Sequence, residues 1–298
     1  MQDLVSTDLD RQDGKRVEII FVVLCASDGM EKQRFSIRRL FEKRESQIDY
    51  VNVDKIRFAV ITWPGSFLDI DWEEIAEMTG RAGRMLVLPR QVEPPEELGL
   101  CRLSVWEYAD ALARHFVLQC MQQAPLPLYR KSIGLVDMRG VGADFVRKAV
   151  RHATIVRVST ANKAMYDGVA EEMMDTYGAS VLVSQNQDDA YRSGVVYAPH
   201  GLVDQHSDEI LPPIVTIDKT NIRGHGRVIS GFHQVIPEQL LALKPQLIEE
   251  SDFLAALWQL CGMRELASLP IDWCICNGNP IPAADVSEYM ARIQQKER

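Results

Sequence analysis

Apolar runs of strand length alternate with amphipathic stretches of helical length along most of this sequence. VEIIFVVLCAS (17–27) is apolar on both faces and ends at a polar SDG turn, which predicts a buried parallel strand. A cationic helix is expected over 32–45. A second strand is centred on 56–62 and is broken by Pro64–Gly65. DWEEIAEMTGRAG reads as a helix with Asp71 as N-cap, Glu73 and Glu74 at the positive end of its dipole, and Gly80 or Gly83 as its stop. RMLVLP supplies a third strand, and a short one follows near 100–103. Ser104 then caps a long helix with Trp106, Leu112, Phe116 and Cys120 at near-helical spacing.

APLPLY (124–129) reads as a linker, because proline ends a helix and stiffens a connection. The pattern predicts an α/β protein of two α/β domains behind a polar tail at 1–16. The N-terminal domain is expected over 17–124. The C-terminal one, over 131–298, is expected to be a Rossmann-like doubly wound parallel sheet.

Its core is the stretch beginning KSIGLVDMRGVGADFVRKAVRHATIVRVST, which reads as strand, glycine turn, helix and second strand. NKAMYDGVAEEMMDTYG continues as a helix and ASVLVS as a third strand. QNQDDAYRSGVVYAPHG gives a short helix and a fourth strand, and PPIVTIDKT a fifth. Two amphipathic helices, the strand IDWCICNG and a terminal helix complete the chain.

A dinucleotide-binding turn needs three glycines: for the tight turn, for backbone approach to the pyrophosphate, and for helix–strand packing. With the strand-to-turn distance kept, these positions fall on Asp137, Arg139 and Gly142, so only the packing glycine is present. Taking Gly140 and Gly142 as the first two glycines puts Phe145 third and adds residues before the turn. Asp137 would repel phosphates unless neutralised, and Arg139 is the expected neutraliser, by salt bridge or by direct phosphate contact. Where an acidic residue would select NAD, the chain has Ser159, Thr160, Asn162 and Lys163. That set suits the 2′-phosphate of NADP, and equally an ordinary helix cap with a surface lysine.

The segment 131–201 resembles the NAD(P)-binding domains of the shikimate dehydrogenase and glutamyl-tRNA reductase type. The likeness lies in GVG after the strand, in VRVSTANKA and in DDAYRSGVVYAPHG. It implies an NAD(P)-dependent oxidoreductase acting on a small polar or carboxylated metabolite in an interdomain cleft. The altered glycines leave open a non-catalytic ligand-sensing or regulatory protein that keeps the fold. Ligands of parallel sheets bind at the carboxyl ends of strands, which should gather Asp137, Arg139, Ser159, Thr160, His200, Asp218 and Lys219 on one rim. His200 is the first candidate for proton transfer and Lys219 the second, against the plainer readings of a loop histidine without a catalytic task and a surface lysine after a strand.

Composition narrows the classes. The 298 residues are 46% hydrophobic and 25% charged, a soluble globular balance. No apolar run approaches the roughly 20 residues of a membrane span, and the N-terminus lacks a signal-peptide core. A net charge of −9 gives nonspecific nucleic-acid binding no global support. Six cysteines without a C-x-x-C pair suit a reducing cytoplasm; Cys274 and Cys276 read as small buried hydrophobes. His206, His225 and His233 match no metal-ligand spacing. The apolar C-terminal helices leave room for a homodimer.

Overall fold

The computed structural model describes residues 20–26, 46–80, 85–201, 211–218 and 226–296. The chain forms two compact units, Met1–Leu103 with Leu243–Gly262, and Ser104–Ala242 with Met263–Arg298. This division differs from the expected 17–124 and 131–298. The long helix before APLPLY falls in the second unit, and a later helical segment returns to the first.

In the first unit, β1 (Phe21–Ala26) is buried along its whole length. It lies between β3 (Ile56–Trp63) and β4 (Met85–Val87), parallel to both, and β5 (Cys101–Arg102) continues in parallel. The sheet order is β2-β3-β1-β4-β5. β2 (Gln47–Val53) is an antiparallel edge strand that the sequence reading merged into its neighbour. Its hairpin turns at Asp54, whose φ of 51° is a left-handed conformation that aspartate tolerates. Helix α1 (Trp72–Thr79) starts as expected: the Asp71 carboxylate accepts from the Glu73 and Glu74 N–H groups at 3.0 and 3.1 Å.

The second unit begins with α2 (Trp106–Gln123) and continues with β6 (Ser132–Val136), α3 (Ala143–Ala149), β7 (Ile155–Ser159), α4 (Ala164–Tyr177) and β8 (Ser180–Ser184). Then come α5 (Asp188–Tyr191), β9 (Val195–Tyr197), β10 (Ile214–Val215), β11 (Val228–Gln234) and α6 (Glu238–Leu241). After α7 (Glu250–Gln259), which belongs to the first unit, β12 (Ile271–Cys276), β13 (Asn279–Pro282) and α8 (Ala283–Lys296) finish the chain.

Its sheet runs β13-β12-β11-β10-β9-β6-β7-β8. From β8 to β11 all pairings are parallel. Numbered from β6, that is the order 3-2-1-4-5-6, the doubly wound Rossmann arrangement, with its switch point between β6 and β9. β12 and β13 add antiparallel strands at one edge. Their hairpin turns on Asn277–Gly278, with φ of 50° and 84°. This Asn-Gly pair is a strong hairpin signal, and β13 follows the IDWCICNG strand expected to complete the sheet.

The alternation of β6 explains the layering. Ile133 and Leu135 join a cluster with Phe116 and Val117 of α2, Phe145 of α3, Tyr166 of α4 and Met290 of α8. Val136 joins Ala190, Tyr191 and Val196 on the opposite face. Gly134 shares that face, and a Cβ there would sit 2.4 Å from the Ala190 carbonyl oxygen. Glycine is what lets α5 lie so close.

Candidate functional site

The end of β6 delivers Asp137, and its side chain folds back over the turn that follows. Its Oδ1 accepts the Gly140 N–H at 3.0 Å and its Oδ2 the Gly142 N–H at 2.7 Å. The Tyr166 hydroxyl, from α4, donates to the same Oδ2 and lies 3.1 Å from the Gly142 nitrogen. Asp137 is 1% exposed. Gly140 has φ of 76°, which suits glycine, and Gly142 is the packing glycine: a Cβ there would meet Leu135 at 2.8 Å and the Tyr166 hydroxyl at 2.9 Å. Burial raises the Tyr166 pKa, and its hydrogen bond to Asp137 and that residue's charge add to the effect, so the phenol stays a donor.

These contacts test the fit of a nicotinamide dinucleotide. The pyrophosphate would need the N–H groups that Asp137 already occupies. It would also face a carboxylate at close range. Two like charges about 5 Å apart repel by about 3 kcal/mol at an effective dielectric near 20. The turn does not fit a pyrophosphate. Arg139 makes no salt bridge to Asp137: it is exposed, and among the described residues no carboxylate forms an ion pair with it.

The expected 2′-phosphate set is divided. Ser159 and Thr160 are fully buried at the end of β7. The Thr160 hydroxyl accepts the Asn162 N–H at 3.1 Å, a local turn contact. Only Asn162 and Lys163 are exposed there, and Lys163 leads directly into α4. Neither hydroxyl caps α4, whose N-cap position is Lys163 with no side-chain cap bond, and neither lies at the surface where a 2′-phosphate would meet it.

β9 delivers Tyr197 and, beyond Ala198 and Pro199, His200. The imidazole stacks on the Trp106 indole with ring centres 5.3 Å apart and planes within 9°. Burial lowers the His200 pKa, and the Arg139 charge lowers it further against opposing contributions from Asp137, Asp110 and Asp218. His200 is thus held neutral at pH 7.

Trp106 lies on α2, and the two residues that follow it at helical spacing complete the constellation. Asp110 Oδ1 accepts from the Tyr197 hydroxyl, and Asp110 Oδ2 lies 2.7 Å from Arg114 Nε. The Arg114 guanidinium sits over the Tyr197 ring at 6.0 Å. Burial opposes the Arg114 charge, but Asp110 and Tyr197 outweigh it and raise its pKa. Burial and Asp110 together raise that of Tyr197.

Of the expected rim, Asp137, Arg139 and Asp218 act on the His200 charge, Ser159 and Thr160 are buried, and Trp106, Asp110, Arg114 and Tyr197, absent from the expected set, stand with His200. Their signal was the spacing of Trp106, Asp110 and Arg114, one per helical turn along a single stripe of α2. Beyond β10, Thr216 donates to the Asp218 carbonyl at 3.1 Å. Lys219, His206, His225 and the cationic stretch 32–45 lie outside the described residues. His233 pairs with Asp272 at 2.9 Å on the exposed face of β11 and β12. Among the described residues, no group of three or more histidine, cysteine, aspartate or glutamate side chains is placed to hold a metal.

Cys274 and Cys276 are buried free thiols. Burial pushes the Cys274 thiol up to about 12. No described helix is long and apolar enough to cross a membrane.

No protein-family model matches the chain, and no curated protein matches it. Among solved structures it is similar to the crystal structure of L-tryptophan dehydrogenase from Nostoc punctiforme, at 11% identity and a TM-score of 0.34. That match covers 80% of this chain and 69% of the other. The strand order, rather than this likeness, assigns the fold.

Proposed function

We propose that the chain is a Rossmann-fold ligand-binding protein of the sensing or regulatory class, working without a nicotinamide dinucleotide. The observation that carries this reading is the Asp137 carboxylate, which takes both glycine N–H groups of the turn and the Tyr166 hydroxyl. A small ligand is proposed to sit at the carboxyl ends of β6, β9 and β10, beside His200 and Trp106.

A second reading is the NADP-dependent oxidoreductase. The six-strand order and the retained Gly142 favour it, as does a neutral imidazole at the end of β9 that is free to accept a proton. It requires Asp137 to leave the turn.

Thermal-shift and calorimetric titrations with NADPH, NADP, NADH and NAD separate the two. The first reading expects no saturable binding by any of them. Tight NADPH binding, weakened by Lys163→Ala, would establish the second and end the first.

A further inference from the structure

We infer that Arg139 and the Trp106–His200 stack form a subsite for a small planar carboxylate, held within the second unit. This rests on the reading above, that the rim binds a phosphate-free ligand. It goes further by naming the ligand's chemistry.

Three observations lead there. The first is an imbalance of charge. Asp137 is committed to the glycine turn and Tyr166, and Asp110 to Arg114 and Tyr197. Arg139 is left as an exposed guanidinium with no ion-pair partner among the described residues. A guanidinium fork matches a carboxylate in two-point geometry. The second is shape. Trp106 is 40% exposed and its indole lies flat on the imidazole. β6 and β9 pair in parallel with Leu135 opposite Tyr197, so the turn carrying Arg139 and the segment carrying His200 leave neighbouring strand ends, and a planar apolar surface lies at the same rim as that cation. The third is the surface around the turn itself. Met138, Val141 and Met165 are 44%, 62% and 52% exposed. An apolar ring suits such surroundings, and a highly charged phosphate chain does not.

The site has a consequence for protons. The charges acting on His200 are Arg139 and Asp137 from the turn after β6, Asp110 from α2, and Asp218 after β10. Arg139 opposes protonation, and the three aspartates favour it. A carboxylate bound to Arg139 offsets that opposing charge, which shifts His200 toward protonation against the burial that is the larger cause of its lowered pKa.

The test is calorimetry of the full chain with benzoate, 2-naphthoate, acetate, benzamide and benzylamine, at pH 6, 7 and 8, in two buffers of different ionisation enthalpy. Benzoate and 2-naphthoate should bind, and acetate and benzamide should bind at least about tenfold more weakly, the scale of one charge-assisted contact. Arg139→Ala and Trp106→Ala should each weaken the aromatic acids by a similar factor while melting as the parent does. Proton uptake should accompany binding and vanish in His200→Gln. Equal affinity for benzoate and benzamide, preference for benzylamine, or no saturable binding of either aromatic acid would overturn the subsite. None of those results bears on the absence of dinucleotide binding. Saturable NADPH binding, in contrast, would remove the broader reading, whatever the acids do.

Discussion

At the scale of single residues, the turn after β6 has two buried glycine N–H groups that need acceptors, and Asp137, the first residue beyond the strand, supplies both. In a phosphate-binding turn the ligand would complete that hydrogen bonding. Here the protein completes it alone. Asp137→Ala should therefore cost about 3 kcal/mol in urea unfolding, because Gly142 and Tyr166 lose a buried charged acceptor. Asp137→Asn keeps one acceptor oxygen and should cost less, and Tyr166→Phe should cost about 1–2 kcal/mol. A carboxylate at a phosphate position was legible in the sequence. Its direction was not: nothing local shows that it folds back onto Gly140 and Gly142, or that Tyr166, a helix and a strand away, completes the arrangement. The same limit explains Ser159 and Thr160, whose residue types suit a phosphate and whose burial rules out their surface role.

At the scale of elements, α2 is the instructive case. Its existence and inward stripe were readable from periodicity, but proline at its end marks where a helix stops, not where a domain does. Specific bonds tie it to the second unit. The Gln119 side-chain amide donates to the Ile271 carbonyl at 2.6 Å and accepts its N–H at 3.0 Å, at the start of β12. Lys131 donates from its ammonium to the Met121 carbonyl in the last turn. Gln119→Ala leaves both backbone groups without that partner and should cost about 2 kcal/mol by chemical denaturation. Two glycines make an opposed pair. Gly134→Ala drives a methyl into the Ala190 carbonyl and should destabilise by about 2–3 kcal/mol. Gly168, inside α4 with nothing within 4 Å of a built Cβ, should gain about 0.5–1 kcal/mol as alanine. The strands β2 and β13 are less legible for a different reason: both are largely exposed edge strands of mixed polar sequence, each joined to its neighbour by a two-residue hairpin, so neither carries an apolar run of its own.

At the scale of the whole molecule, the buried ionisable groups set the pH range of stability. Burial raises the pKa of Tyr166, Tyr191 and Tyr197, with neighbouring carboxylates adding to it. Above about pH 10 the unfolded chain releases phenol protons that the fold retains, so stability should fall as pH rises. Burial lowers His115, His152 and His200. Below about pH 6.5 the unfolded chain binds protons that the fold resists, so stability should also fall toward acid. Urea midpoints from pH 5 to 11 should trace a dome, and Tyr166→Phe with Tyr197→Phe should flatten its alkaline side. A midpoint rising beyond pH 10 would contradict this.

The central claim is that the turn's donors are already spent, and amide hydrogen exchange at Gly140 and Gly142 tests it most directly. In the ligand-free protein both amides should exchange slowly, and both should lose protection in Asp137→Ala while the amides of β6 and β7 stay protected. Fast exchange at both glycines in the parent protein would mean an open turn, free to meet a phosphate, and the account would fail.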